Sequence, residues 1–165
     1  MSQTEIYIYK KSRKSEILVG TVPNAWAGSI AVWDALSKKY INNDLCMFNT
    51  GHIEKVCALY KDARLTRNER IVLTATFDNS SCKPEHINEV ITALRDVNHS
   101  LLNDKGNLNF QADIIEHAIK KYKNIYCFVL FISSITPFCD SYTTKENTYD
   151  IIDDVNETEK TFAIN

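Results

Sequence analysis

The run IYCFVLFIS, residues 125–133, decides the architecture. It is apolar at every position from 125 to 132, so no polar alternation marks a solvent face, and it reads as a strand covered on both sides in the interior of a sheet. A second run, IVLTATF at 71–77, is rich in β-branched residues. It sets Ile71, Leu73, Ala75 and Phe77 against Val72, Thr74 and Thr76, and it reads as another interior strand. Near the start, Ile6 and Ile8 alternate with Tyr7 and Tyr9. The basic stretch KKSRK at 10–14 follows, then Ile17, Leu18 and Val19, which together predict an antiparallel hairpin with a basic turn.

Helical spacing fills the intervals. Trp26, Ile30, Trp33, Leu36 and Tyr40 predict a helix over residues 25–41, with Asn24 as its N-cap and both tryptophans on the buried stripe. Ile53, Val56, Cys57 and Tyr60 predict a shorter helix. Residues 78–81 supply turn chemistry, and Ile87, Val90, Ile91, Leu94, Val97 and Leu101 trace a long helical stripe after Pro84. Ile114, Ile115, Ala118, Ile119 and Tyr122 mark another helix, whose last turn is expected to place Lys120, Lys121 and Lys123 at the negative end of the dipole. The order ββααβααβ implies an α+β or α/β domain: a mixed sheet of four to five strands, opened by the antiparallel hairpin, with about four helices packed on it. Residues 1–141 are expected to form this single domain. Residues 142–165 are expected to be an acidic C-terminal tail, as an edge strand or partly disordered.

Length and composition agree with one globular unit. The chain has 165 residues, 44% hydrophobic and 24% charged, which separates it from disordered and membrane-spanning classes. Nineteen basic and twenty-one acidic side chains give a net charge of −2, so no overall field draws it to nucleic acid or an anionic membrane. The balance hides a polarity: residues 1–75 hold eleven basic and seven acidic groups, residues 76–165 eight and fourteen. Five cysteines, with no C-x-x-C pair and an odd count, read as reduced thiols, and the first residues lack the order of a signal peptide. A soluble protein of the cytoplasm is therefore expected.

Chemical motifs are sparse. There is no phosphate-cradling glycine motif, no nucleophile elbow and no zinc-ligand spacing, so no cofactor, metal or catalytic residue is assigned. Asp113 and His117 stand four apart as ordinary helix-surface neighbours. Cys139 is the nearest approach to a reactive thiol, but the adjacent Asp140 disfavours its thiolate. If the strands ending near Val22, Phe77 and Ser133 ran parallel, Thr21, Asn24, Asp78, Asn79, Ser80 and Asp140 would meet at one sheet edge as a ligand-binding site. The alternative assigns the same residues to caps and turns.

With catalytic motifs absent, the sequence points toward a protein that acts by binding another macromolecule. It suggests an inhibitor or immunity-type protein, or an accessory factor of a mobile element. The partner-binding residues expected are Tyr142, Tyr149, Asp150, Asp153 and Asp154, facing another protein, a basic one in particular. The alternatives are a small hydrolase-like enzyme using the strand-end cluster, and nucleic-acid binding through the basic hairpin beside Tyr7 and Tyr9, with a second basic stretch at Arg64, Arg67 and Arg70. An uncovered hairpin edge also leaves room for a homodimer. No membrane partner is expected.

Overall fold

Alternation at the N-terminus produces the hairpin. In the computed structural model, β1 (Gln3–Lys10) and β2 (Glu16–Pro23) pair antiparallel, and Thr4, Ile6 and Ile8 turn inward while Tyr7 and Tyr9 stay half-buried on the opposite face. The structure describes residues 2–10, 16–44, 46, 49–77, 80–103, 106–133 and 150–164, the side chains at 50 and 131–133 apart. IYCFVLFIS is the strand expected. As β4 (Ile125–Ser133) it runs antiparallel along the whole of β1, from Gln3 opposite Ser133 to Tyr9 opposite Cys127, and it carries β3 (Ser80–Cys82) on its other side. The sheet order is β2-β1-β4-β3, antiparallel throughout, where a mixed sheet was expected.

Seven α-helices stand among the described residues, more than the four expected, in an α+β arrangement of order ββααααβααβα. The reading of 71–77 as a strand is overturned. These residues lie in and just beyond α4 (Arg67–Ala75), which opens with a capping box: the Thr66 hydroxyl accepts from the Glu69 amide at 3.2 Å, and Glu69 accepts from the Thr66 amide at 2.9 Å. Every residue from Glu69 to Ala75 is buried. A helix enclosed on all sides has no polar stripe, and its sequence then resembles an interior strand. The strand forms instead at Ser80–Cys82, part of which was read as turn.

The helix expected over 25–41 is broken into α1 (Asn24–Ala27), α2 (Ser29–Leu36) and a π-helical turn, Ser37–Ile41, ended by Asn42 at φ 58°. The break falls at Gly28, where a Cβ would lie 2.4 Å from Asn24 Oδ1. Asn24 is not the N-cap expected. Pro23 holds that position without a side-chain bond, and the Asn24 amide joins strand to helix instead: its Oδ1 accepts from Thr4 Oγ1 at 2.6 Å and its Nδ2 donates to Ser2 at 2.7 Å.

α3 (Thr50–Ala58), α5 (Ile87–Ser100) and α6 (Leu108–Lys121) match the spacing that predicted them. The core lies between these helices and the inner sheet face of Ile6, Ile8, Phe128 and Leu130. Residues 151–163 were expected as an edge strand or loose tail; they form α7 (Ile151–Ala163), which packs on α4 and β3 and buries Ile151, Ile152 and Val155. Cys57 is disulfide-bonded while Cys46, Cys82 and Cys127 stay outside disulfides, so the expectation of reduced thiols fails at Cys57. An odd count excludes complete pairing and permits a single bridge. Among the described residues, no helix is long and apolar enough to cross a membrane.

Candidate functional site

β2 and β4 both run against β1, so their carboxyl ends do share the edge marked by Gln3, but the third expected strand is α4. Ser80 stands in the row Ser80, Leu130, Ile6, Gly20, three strand spacings from β2, about 14 Å. Its buried hydroxyl donates to the Ala75 carbonyl at 3.0 Å, and the Asn24 amide is spent within the fold as described. Thr21 is half-buried on β2. Thr21, Asn24 and Ser80 are therefore not brought to one opening; Asp78, Asn79 and Asp140 lie outside the described residues, as does Cys139.

The acidic tail supplies structure. Asp150 is buried beside Ser81 in a parallel bridge and caps α7, accepting from the Ile152 and Asp153 amides at 3.1 Å, from the Lys83 amide at 2.7 Å and from His86 Nδ1 at 2.8 Å. Asp153 pairs with the Lys83 ammonium, which holds its carboxyl below the usual carboxylate range. His86, Asp150 and Asp153 have ligand atoms within 4.8 Å of one another, the spacing of a divalent-cation site. Four donors already occupy Asp150, however, and a cation would have to displace Lys83 from Asp153. Asp154 is half-buried, and burial pushes its carboxyl up. Tyr142 and Tyr149 lie outside the described residues.

Further along α7, Glu159 accepts from Arg70 at 2.8 Å and from Arg67, and Arg67 also reaches Asn156 at 2.8 Å and Glu89 at 2.7 Å. The Arg70 guanidinium is 2% exposed and donates as well to the Tyr60 and Asp62 carbonyls at 2.9 and 2.7 Å. The basic stretch 64–70 is thus neutralised internally, with Arg64 on Asp62 at 2.6 Å. On the hairpin, the Tyr7 hydroxyl donates to Glu5 at 2.7 Å, which with burial pushes its phenol up to about 12, and the Tyr9 hydroxyl donates to Glu16 at 2.9 Å.

One polar pair escaped the sequence because its members are distant in the chain: Ser37 Oγ and His52 Nε2 are 2.7 Å apart. Ser37 is fully buried and its hydroxyl donates to the Asn43 carbonyl at 2.8 Å, so the proton that a base would remove is committed elsewhere.

The remaining feature is open. α1, α2 and the turn between α5 and α6 enclose a cleft of about 550 Å³. Ala31 and Ala35 line it from α2, Leu101 and Leu102 from the facing turn, and Asp34, Lys38 and Lys39 give it charge. Lys38 pairs with Asp34 and Lys39 with Glu69, both at 2.6 Å. Trp26, at the α1 end, is 45% exposed and stacks on Phe110 of α6, itself 39% exposed, with ring centroids 6.1 Å apart and planes 18° apart. Trp33 is buried as expected, its indole donating to Thr76 at 2.7 Å. Trp26 was expected beside it, but the break at Gly28 turns α1 out of the α2 register; the glycine was the signal within the sequence. The pair is held from below, since the Asn107 amide donates to the Trp26 carbonyl at 2.7 Å. A Cβ on Gly106 would come within 3.0 Å of that oxygen and 2.1 Å of Leu102.

No protein-family model matches the chain, and neither a curated protein nor a solved structure matches it.

Proposed function

We propose that this chain is a small binding protein that acts on another protein through the rim of the α1–α2 cleft. The observation that supports it is the stacked Trp26–Phe110 pair: two large aromatic side chains left in solvent, yet fixed by backbone contacts beneath them. Rigid exposed aromatics beside a concavity are the groups that dominate protein–protein affinity when desolvated. An inhibitor or immunity-type role is one use of such a surface.

The cleft replaces the acidic tail as the place to look, because Asp150, Asp153 and Glu159 are already paired within the fold. Affinity capture from the native host supplies the partner, and titration calorimetry then compares the wild-type chain with Trp26→Ala and Phe110→Ala. Each variant is expected to weaken binding by about 2 kcal/mol, roughly 30-fold, with an unchanged melting temperature. Unchanged affinity in both would exclude the cleft rim as the interface.

A further inference from the structure

The two edges of the sheet are unequal. β3 has three residues, and Asp150 bridges it at Ser81. β2 has eight residues and pairs with β1 alone among the described strands. None of the described backbone hydrogen bonds outside the regular elements involves residues 16–22. Half of the amides and carbonyls of an edge strand point away from its neighbour, and the chemistry that satisfies such a row is another extended chain.

The side chains suggest which one. After Glu16, the strand ILVGTVP carries no charge up to Pro23, so a copy laid against it meets no like charge along the ladder. Leu18 is 49% exposed and stands opposite Tyr7, near the middle of β2. A two-fold axis through the strand midpoint brings Leu18 of each copy toward the other on the same face, as an isologous contact requires. The register passes from Ile6–Gly20 to Tyr7–Leu18, leaving Val19 unopposed as a bulge. That bend limits the ladder to two short runs flanking the axis.

We propose that the chain forms a homodimer by antiparallel pairing of β2 with β2 of a second copy, joining two four-stranded sheets into one. Assembly stops at two because the edges left over are the short β3 strands. An eight-residue strand is about 27 Å long, and a strip of that length one strand wide falls below the area of a standard interface. The dimer is accordingly weak, with a dissociation constant on the order of 10 to 100 µM.

Sedimentation velocity on the full chain, from about 1 µM to about 500 µM to span that range, is expected to show a monomer–dimer equilibrium. Leu18→Lys is expected to raise the dissociation constant at least about tenfold at an unchanged melting temperature, since it places two ammonium groups near the axis. Amide exchange on the wild-type chain gives a readout that no variant can compromise: β2 amides gain protection with concentration while β3 amides do not. A chain monomeric throughout, or a dimer that neither responds to Leu18→Lys nor protects β2, overturns the proposal. Protection of β2 only by an added Val/Thr-rich extended peptide, with the chain itself monomeric, also overturns it and assigns the edge to a different strand donor.

Discussion

Removing the Glu159 carboxylate tests how α7 is held. Arg70 is 2% exposed, and Glu159 is the acidic side chain that bonds its guanidinium, at 2.8 Å. Deleting one partner of a fully buried ion pair costs about 3–5 kcal/mol, because the other charge is left without compensation. Two features reduce that figure here. The Glu159 side chain is itself 28% exposed, so water reaches the vacated position, and Arg70 keeps the Tyr60 and Asp62 carbonyls. The second pair that Glu159 makes, with Arg67, is more exposed and contributes under about 1 kcal/mol. Glu159→Ala is therefore expected to destabilise by about 2–3 kcal/mol. For a chain of this size that is a fall of roughly 5–10 °C in melting temperature, measured by circular dichroism and checked by urea titration. A cycle with Arg70→Met separates the pair from the rest: the double variant should be less destabilised than the sum of the singles by at least about 1.5 kcal/mol. If Glu159→Ala lies within about 0.5 kcal/mol of wild type, or the coupling is near zero, Arg70 does not depend on α7 for its charge balance and the account fails.

Glu69 gives a pH-dependent counterpart. Burial alone raises its carboxyl, but the Lys39 ammonium, the Tyr40 hydroxyl and the Thr66 amide outweigh that and hold it below the ordinary value of about 4.3. A lowered carboxyl stabilises the fold above its unfolded value, and the contribution is lost as pH falls through the folded value. Glu69→Gln should therefore cost about 1 kcal/mol near neutrality, with the gap to wild type narrowing below about pH 4 in acid melts; a constant gap would contradict this. Gly28→Ala should destabilise by about 1–3 kcal/mol in thermal melts, since its Cβ meets Asn24 Oδ1 at 2.4 Å, and a neutral result would show that the α1–α2 joint yields freely. Melts with added magnesium, manganese, calcium or zinc should leave the transition within about 1 °C, because Asp150 and Asp153 are already occupied; a rise with one of them would reassign the His86 cluster as a cation site.

The hairpin, β4, α5 and α6 were legible because each has one buried and one exposed side or, as in β4 over residues 127–130, is buried on both sides of a strand, and period and burial then agree; Tyr126 of β4, 45% exposed, departs from that reading. α4 was not legible from its apolar residues. Ile71 to Phe77 alternate by chance in and just beyond a helix enclosed on all sides, and the informative signal lay upstream, in Thr66 followed three residues later by Glu69. α7 was concealed by its acidity, although Asp150 ahead of Ile151, Ile152 and Val155 is an N-cap followed by a helical stripe. The candidate site was less readable still. Trp26 and Phe110 are 84 positions apart in the chain, and no local pattern reports a stacking contact at that distance. The same holds for His86 and Asp150, whose separation along the chain is 64. Spacing rules see one helix face or one strand at a time, whereas these contacts depend on how the elements pack.

The antiparallel pairing of β1 with β4 also governs how the protein is made. Ile6 and Ile8 leave the ribosome some 120 residues ahead of Leu130 and Phe128, their ladder partners. At about 5–20 residues per second, the nascent hairpin displays an apolar face for roughly 6–25 s before the strand that completes its sheet exists. During synthesis the chain therefore relies on its helices, or on a chaperone, to shield that face. Truncation anywhere before residue 125 would leave a fragment with no β4 to pair with β1.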